Sequence, residues 1–345
     1  MKLGRLPFLI VAALCLLSGI GAGLARLGVV LPAPVLSVSA LHGPLMVSGF
    51  FGALIGLERA VAHGKAWAYS APLAAGASGL VALSGQVGAA AWLATGASAL
   101  FFAVSVDLTR RHVADFTLVL CLAALAWCAG NLGWALGRPW IVPWFIAFLV
   151  LTIFAERREL GRVLAPGPNA GRAFVLAVAV VLWGAALSPR LLGLGLAGVT
   201  LWLAVFDVAR HTVKKRGLTR YMAVALLAGY FWLGAGALGM LWAGADTAGA
   251  RYDAFVHALM LGFVFSMVFA HAPVIFPAVL GTPLPYSPLF YLHLALLQLS
   301  LAARIAGDLL GHAGLRQHGA IGNALTLVLF LLVTLRAVLR ARRKP

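Results

Sequence analysis

Apolar runs of about 20 residues recur along the whole chain, and they constrain its fold more than any other feature. Each run is long enough to cross roughly 30 Å of hydrocarbon as an α-helix. Of the 345 residues, 63% are hydrophobic and only 10% are charged, which is more apolar than a soluble core of this length needs. Strands with alternating apolar and polar residues are missing, so a β-barrel is excluded. The sequence therefore predicts an all-α integral membrane protein.

The hydropathy pattern indicates about twelve transmembrane helices in a single polytopic domain, 1–345. Basic residues precede the first run, as in a signal peptide, but this run is long enough to cross and many spans follow. We therefore interpret it as a retained first helix. The predicted spans are 7–29, 36–57, 68–85, 88–107, 114–136, 140–155, 172–188, 190–206, 221–243, 253–280, 288–309 and 319–338.

Lysine and arginine are distributed unequally between the two sides of these spans. The formal net charge is +17, and basic residues concentrate in the cytoplasmic loops of membrane proteins. The opposite side carries only scattered arginines: Arg26, Arg138, Arg190 and Arg251. This asymmetry predicts an even number of spans with both termini in the cytoplasm. The positive charge then needs no nucleic acid to explain it.

Short motifs recur at helices that are four apart. VDLTRRH ends the fourth span and FDVARH ends the eighth, so that Asp107 corresponds to Asp207. HGPLMVSGFFGAL in the second span resembles HALMLGFVFSM in the tenth, and GLERAVAHGK resembles FAERRELGR at the end of the sixth. These echoes predict three pseudo-repeated arcs of four helices.

Two intramembrane histidines are the main candidates for ligand binding. His42 and His257 each lie five or six residues into a predicted helix that enters from the same side, so we expect them at one depth. Two neutral imidazoles on different helices can bind a haem iron from its two faces. The alternative is a hydrogen bond from each histidine to a neighbouring helix.

A stripe of mostly small residues follows His42 at helical spacing, namely Met46, Gly49, Ala53 and Gly56. Small residues let a flat macrocycle come close, and they equally allow ordinary helix packing. If a haem lies near these helices, Arg304 or Arg316 are candidates to bind its anionic propionates.

The remaining histidines fall into two groups. His271 is fourteen residues beyond His257, about 21 Å along a helix, so the two cannot share a metal. We expect His293 to approach the same inner depth as His271, where Glu58 and Arg59 end the second span. This inner group would serve as a proton path, a second metal site or, as we favour, a structural cluster. His63, His112 and His211 lie among basic residues, where we expect solvent or lipid headgroups around them.

The pattern of histidines resembles a known superfamily. About twelve spans with one histidine on helix 2 and another on helix 10 look like the low-spin haem site of subunit I of the haem-copper oxidases. Within that superfamily the chain is more similar to the NnrS-type membrane proteins, which contain haem and copper and are linked to nitric oxide. Phe255 and Leu259 stand where an oxidase has a second histidine, and spans six and seven contain none.

The resemblance implies a haem b protein of the bacterial inner membrane, which binds a diatomic gas such as nitric oxide or transfers electrons to a redox partner. Copper, with His271 as a ligand, is a further possibility. The resemblance leaves open whether the protein is an enzyme. A second hypothesis is a secondary transporter with a site near His271, where two prolines interrupt the helix.

Overall fold

Long helices make up almost the whole of the computed structural model, which describes residues 2–32, 36–164, 167–244 and 246–342. No strand occurs within these ranges. We number the long helices in chain order: α1 Leu6–Arg26, α2 Ser39–His63, α3 Ala66–Leu83, α4 Val87–Arg111, α5 Asp115–Ala135, α6 Val142–Gly161, α7 Pro168–Leu187, α8 Pro189–Phe206, α9 Gly217–Ala243, α10 Ala250–Leu280, α11 Phe290–Leu310 and α12 Ala313–Arg342.

Eleven of these helices in the described ranges are long and apolar enough to cross a membrane. The other is α6, the sixth predicted span, whose last turns carry Glu156, Arg157, Arg158 and Glu159. Large apolar side chains point outward from several helices. Leu187 is 72% exposed and Trp183 and Phe231 are each 67% exposed, as expected for side chains that face lipid. The prediction of an all-α membrane protein is confirmed.

The chain forms two compact units. The N-terminal unit comprises Met1–Phe148 with Val279–Gly281, and the C-terminal unit comprises Leu149–Ala278 with Thr282–Pro345. In the first, α3 packs on α4 and α4 on α5. In the second, α7 packs on α8, α8 on α9 and α11 on α12. Sequence neighbours therefore pack as antiparallel pairs through short connections, whereas the single domain over residues 1–345 stays a prediction.

Two helices contain π-helical segments, in which the backbone hydrogen bonds reach one residue further than in an α-helix. The segment in α2 covers Leu45–Phe51 and the one in α10 covers Ala258–Phe265. Helix ends follow ordinary local rules. For example, Gly64 ends α2 with a φ of 80°, a conformation that glycine adopts without strain.

Candidate functional site

His42 lies near the start of α2 and contacts α1. Its Nδ1 atom is 2.7 Å from the backbone oxygen of Gly19. A carbonyl oxygen only accepts hydrogen bonds, so Nδ1 carries a proton. Gly23 lets the ring lie close to α1, because a Cβ atom at this position would be 2.8 Å from ring atoms Cε1 and Nδ1. Helix α1 thus fixes the position of the His42 ring.

The small-residue stripe of α2 packs on helices α1 and α3. A Cβ atom at Gly19 would be 2.8 Å from Sδ of Met46, and one at Gly49 would be 2.9 Å from Sγ of Cys15. Further along, Gly56 lies against Pro72, where an added Cβ would be 3.3 Å from the proline Cα. These contacts are helix packing of the kind that small residues allow. That Met46 and Gly49 border a haem stays a prediction.

His257 is buried in α10 and directly precedes the π-helical segment of that helix. Its Nδ1 atom is 2.8 Å from the backbone oxygen of Asp253 and 3.3 Å from Oδ1 of the same residue. Carbonyl and carboxylate oxygens only accept hydrogen bonds, so Nδ1 of His257 carries a proton, as in His42. His257 is seven residues from the start of its helix and His42 is three from the start of α2, so the helix positions differ by about one turn.

Arginines and aspartates surround His257 in what we call the Asp253 network. Oδ2 of Asp253 accepts hydrogen bonds from Arg304, at 2.9 Å, and from Arg316, at 3.2 Å. Arg316 Nε also pairs with Asp308 Oδ1 at 2.5 Å, and Arg304 Nη2 is 3.3 Å from Nδ1 of His257. Two guanidinium groups therefore face two carboxylates. The sequence singled out both arginines but not the aspartates that neutralise them.

A second buried group, the Arg157 cluster, consists of Arg157, Asp207, Tyr230 and His271. Arg157 donates two hydrogen bonds to Asp207, at 2.7 and 2.8 Å, and the two side chains are 3% and 1% exposed. Asp207 also accepts from the backbone N–H of Ala209 at 2.7 Å. This bidentate pair joins α6 to the end of α8, and its burial makes it costly to disrupt.

His271 and Tyr230 complete the Arg157 cluster. His271 Nδ1 is 2.7 Å from the backbone oxygen of Met267, and its buried Nε2 atom has no hydrogen-bond partner among the described residues. The buried hydroxyl of Tyr230 likewise makes no hydrogen bond of good geometry there. The charges of Arg157 and Asp207 act on both side chains. The ion pair therefore influences both buried side chains, and the charge of Glu156 also acts on His271.

His293 lies among aromatic rings rather than beside His271. Its Nε2 atom is 3.1 Å from the hydroxyl of Tyr221, and its ring contacts Phe269, Phe290 and Phe330 with centroids 4.7–5.9 Å away. In the part of the chain that the structure describes, no hydrogen bond or ring contact joins His293 to His271. The two histidines therefore make no direct contact among the described residues, and their shared inner depth stays a prediction.

His63 is buried, so the expectation of a solvated side chain was wrong. Its side chain is 0% exposed, and its Nε2 atom is 2.7 Å from Oδ2 of Asp107 on α4. Arg111 pairs with the same carboxylate from one helical turn away. The recurring aspartate motif drew attention to Asp107, but the sequence held no signal that His63 would reach it.

The described residues contain no group of three or more His, Cys, Asp or Glu side chains that could hold a metal ion. Such a group is the arrangement that zinc and copper sites require. A haem with two histidine ligands needs no such group, because the porphyrin nitrogens supply four of the six ligands. Copper at His271 stays a prediction.

The helices and their lipid-facing surfaces define a multi-pass α-helical membrane protein. The chain belongs to a family described as "Domain of unknown function (DUF8744)", whose model matches residues 5–339. Searches of curated proteins and of solved structures found no match.

Proposed function

We propose that the protein binds haem b in the bacterial inner membrane, with His42 and His257 as axial ligands of one iron. We further propose that it acts in nitric oxide metabolism or in tolerance of nitrosative stress, as its resemblance to NnrS-type proteins implies. Bound haem supplies one-electron transfer or a site for a diatomic gas. Gas binding to a six-coordinate iron requires one histidine to leave the metal.

One shared feature of the two histidines carries this proposal. Each has Nδ1 bonded to a backbone carbonyl and each is followed by a π-helical segment. Histidines that bind metals usually donate their other ring N–H in this way, which orients the ring. His271 shares the hydrogen bond, but the helix around it, Ser266–Leu280, is α-helical. π-helical segments occur often at functional sites.

The Asp253 network bears on how haem propionates would be held. The guanidinium groups of Arg304 and Arg316 are already paired with Asp253 and Asp308. A propionate would therefore share these guanidinium groups with the aspartates. Because Arg304 is already within 3.3 Å of His257, a propionate at this arginine would lie near the proposed ligand. The donor types thus fit a haem, and Arg304 is the better placed of the two arginines.

The proposal includes a topology of three pseudo-repeated four-helix arcs with both termini in the cytoplasm. The basic residues of the chain support the orientation. The repeats are supported by two pairs of corresponding features. A histidine precedes a π-helical segment in α2 and again in α10, and an aspartate at or near the end of a helix pairs with a basic side chain at Asp107 and again at Asp207.

Optical spectra of the purified protein test the proposal. The protein is expressed with ample haem, and oxidised and dithionite-reduced spectra are recorded for the wild type and for His42→Ala and His257→Ala. We expect sharp reduced bands in the wild type and loss of these bands in both variants, because each variant removes an axial ligand. Nitric oxide is then added to the reduced protein to measure binding.

His318→Ala is the matched control, because His318 is exposed and also has Nδ1 bonded to a backbone oxygen, that of Gly314. Its spectra should equal those of the wild type. A colourless wild type, or bands that survive in both ligand variants, would reject the assignment of His42 and His257.

A secondary transporter with a midplane site near His271 is the second candidate. It is favoured by two buried polar atoms of the Arg157 cluster that lack partners among the described residues, Nε2 of His271 and the hydroxyl of Tyr230. Intramembrane polar groups of this kind often mark substrate or ion paths. The test measures transport by the purified protein in liposomes. A colourless protein whose transport is lost in His271→Ala but kept in His42→Ala would favour the transporter over the haem protein.

A further inference from the structure

A cleft of about 450 Å³ lies in the C-terminal unit between the start of α9 and the start of α11. Its lining residues are Arg216, Gly217, Arg220, Val224, Tyr286 and Tyr291. The volume falls within the range of about 300–1,000 Å³ that is usual for small-molecule sites. None of the residues assigned to haem binding or to the Arg157 cluster lines this cleft. It is therefore a separate candidate site.

The cleft presents positive charge that the described residues leave unbalanced. Arg216 and Arg220 have no carboxylate within ion-pair distance in the described ranges, and no acidic residue lines the cleft. By contrast, Arg157, Arg304 and Arg316 all have aspartate partners. The chain has 26 basic and 9 acidic residues, so most of its cations must find counterions outside the protein. Two of these cations, Arg216 and Arg220, line the same cleft.

The aromatic wall of the cleft is fixed by buried neighbours. Tyr291 makes an edge-to-face contact with Tyr221 at a centroid distance of 5.3 Å, and Tyr221 is held by its hydrogen bond with His293. Tyr286 contacts Phe290 in the same geometry at 6.1 Å. These contacts hold two phenol rings beside two guanidinium groups. A ligand that enters the cleft therefore meets two aromatic rings that are held by packing.

We propose that this cleft binds a phosphate group. The planar guanidinium fork matches phosphate oxygens and donates two hydrogen bonds at once, and the tyrosine hydroxyls are further donors. The phosphate can belong to the headgroup of an anionic phospholipid or to a soluble phosphate compound. Basic side chains close in sequence, Arg210, Lys214 and Lys215, add positive potential that attracts either source. Basic pockets between transmembrane helices bind anionic headgroups in this manner.

The test compares two double variants that remove the same charge. Arg216→Gln with Arg220→Gln empties the cleft of its cations, whereas Lys214→Gln with Lys215→Gln removes two charges that do not line it. Each protein is incubated with phosphatidylglycerol or with phosphatidylcholine, and retained lipid is measured by native mass spectrometry. We expect the arginine variant to lose phosphatidylglycerol by about tenfold or more and the lysine variant to lose little.

A second arm uses inorganic phosphate, with the unfolding temperature as the readout. A rise in unfolding temperature that is lost only in the arginine variant, without selective retention of phosphatidylglycerol, identifies a soluble phosphate compound as the source. Selective retention of phosphatidylglycerol identifies the lipid. Equal losses in the two double variants, or no binding of either probe to the wild type, overturn the proposal.

The double variant Arg216→Lys with Arg220→Lys distinguishes loss of binding from loss of folding. This variant keeps the charge but not the guanidinium fork, so we expect intermediate binding. If it folds as the wild type does but binds no better than the glutamine variant, the fork makes the contact. If the lysine substitutions bind as well as the wild type, charge alone suffices and the assigned hydrogen-bond geometry is wrong.

Discussion

The two copies of the aspartate motif are alike in sequence but differ in their surroundings. In the N-terminal unit, Asp107 is 35% exposed and pairs with His63 and with Arg111 of its own helix. In the C-terminal unit, Asp207 is 1% exposed and pairs with Arg157 on α6 through two hydrogen bonds. One carboxylate shares its charge with solvent, whereas the other depends on a single buried arginine.

This difference shows that a local motif determines where a carboxylate lies along a helix but not which partner it meets. Asp107 and Asp207 each come shortly after an apolar run, so both lie at or near the end of a helix. His63 precedes Asp107 by 44 residues, and Arg157 precedes Asp207 by 50. The strength of each pair therefore depends on long-range packing, and substitutions at the two positions should have unequal effects.

Asp207→Asn should have the largest effect on stability. It leaves the buried guanidinium of Arg157 without a counter-charge, and breaking a buried pair in this way costs about 3–5 kcal/mol. The unfolding free energy in detergent, followed by tryptophan fluorescence, measures the loss. Asp246→Asn is the control, because the pair of Asp246 with Arg251 is more exposed and should contribute at most about 1 kcal/mol. Equal losses in the two variants would contradict the assigned burial.

Arg157→Met combined with Asp207→Asn should recover much of that loss. Removing both charges leaves no uncompensated ion, and replacing buried pairs by apolar groups is often close to neutral. The amide oxygen that replaces the carboxylate can still accept a hydrogen bond from the N–H of Ala209. A double-mutant cycle should give a coupling energy of about 1–3 kcal/mol. Additive losses would show that the two side chains act independently.

Asp107→Asn should destabilise the protein less than Asp207→Asn does. The carboxylate is partly exposed, and an asparagine oxygen can still accept the hydrogen bond from Nε2 of His63. The same unfolding measurement applies. A loss as large as that of Asp207→Asn would mean that the two copies of the motif are equally buried, against the structure.

Arg111→Gln should have the smallest effect. Arg111 is 40% exposed and contacts Asp107 of its own helix and His63 of α2. Exposed pairs of this kind contribute little and are screened by salt. We expect the unfolding temperature of the variant to differ from that of the wild type by no more than the variation between replicates. We also expect the two unfolding temperatures to depend on salt concentration in the same way. A clear loss at low salt that disappears at high salt would show that this pair matters more than its exposure suggests.

Much of the helical framework follows from the sequence, because an apolar run is a local signal. The fourth predicted span, 88–107, corresponds to Val87–Arg111 and the ninth, 221–243, to Gly217–Ala243. The ends are less accurate where polar residues continue the helix. The last helix extends from Ala313 to Arg342 rather than over 319–338, because helical hydrogen bonds continue past the apolar stretch.

The side-chain partners could not be predicted, because they depend on which helices meet. Nothing near His63 in the sequence indicates that Asp107 would cover it, and nothing near Arg157 indicates Asp207. The π-helical segments Leu45–Phe51 and Ala258–Phe265 were also missed, since an apolar run predicts a helix but does not distinguish π-helical from α-helical hydrogen bonding. Charge and position drew attention to Arg304 and Arg316 as candidate binding residues. They did not indicate which aspartates would pair with them.

The π-helical segments also bear on how this family can tolerate changes in chain length. Each segment accommodates one residue more than an α-helix following the same path, so losing a residue there converts the local backbone to α-helix without breaking it. The side chains beyond the segment then keep their directions, because the deletion removes only the extra residue that the segment held. A single-residue deletion within Leu45–Phe51 or Ala258–Phe265 should therefore preserve both the helix and the direction of the side chains that follow it.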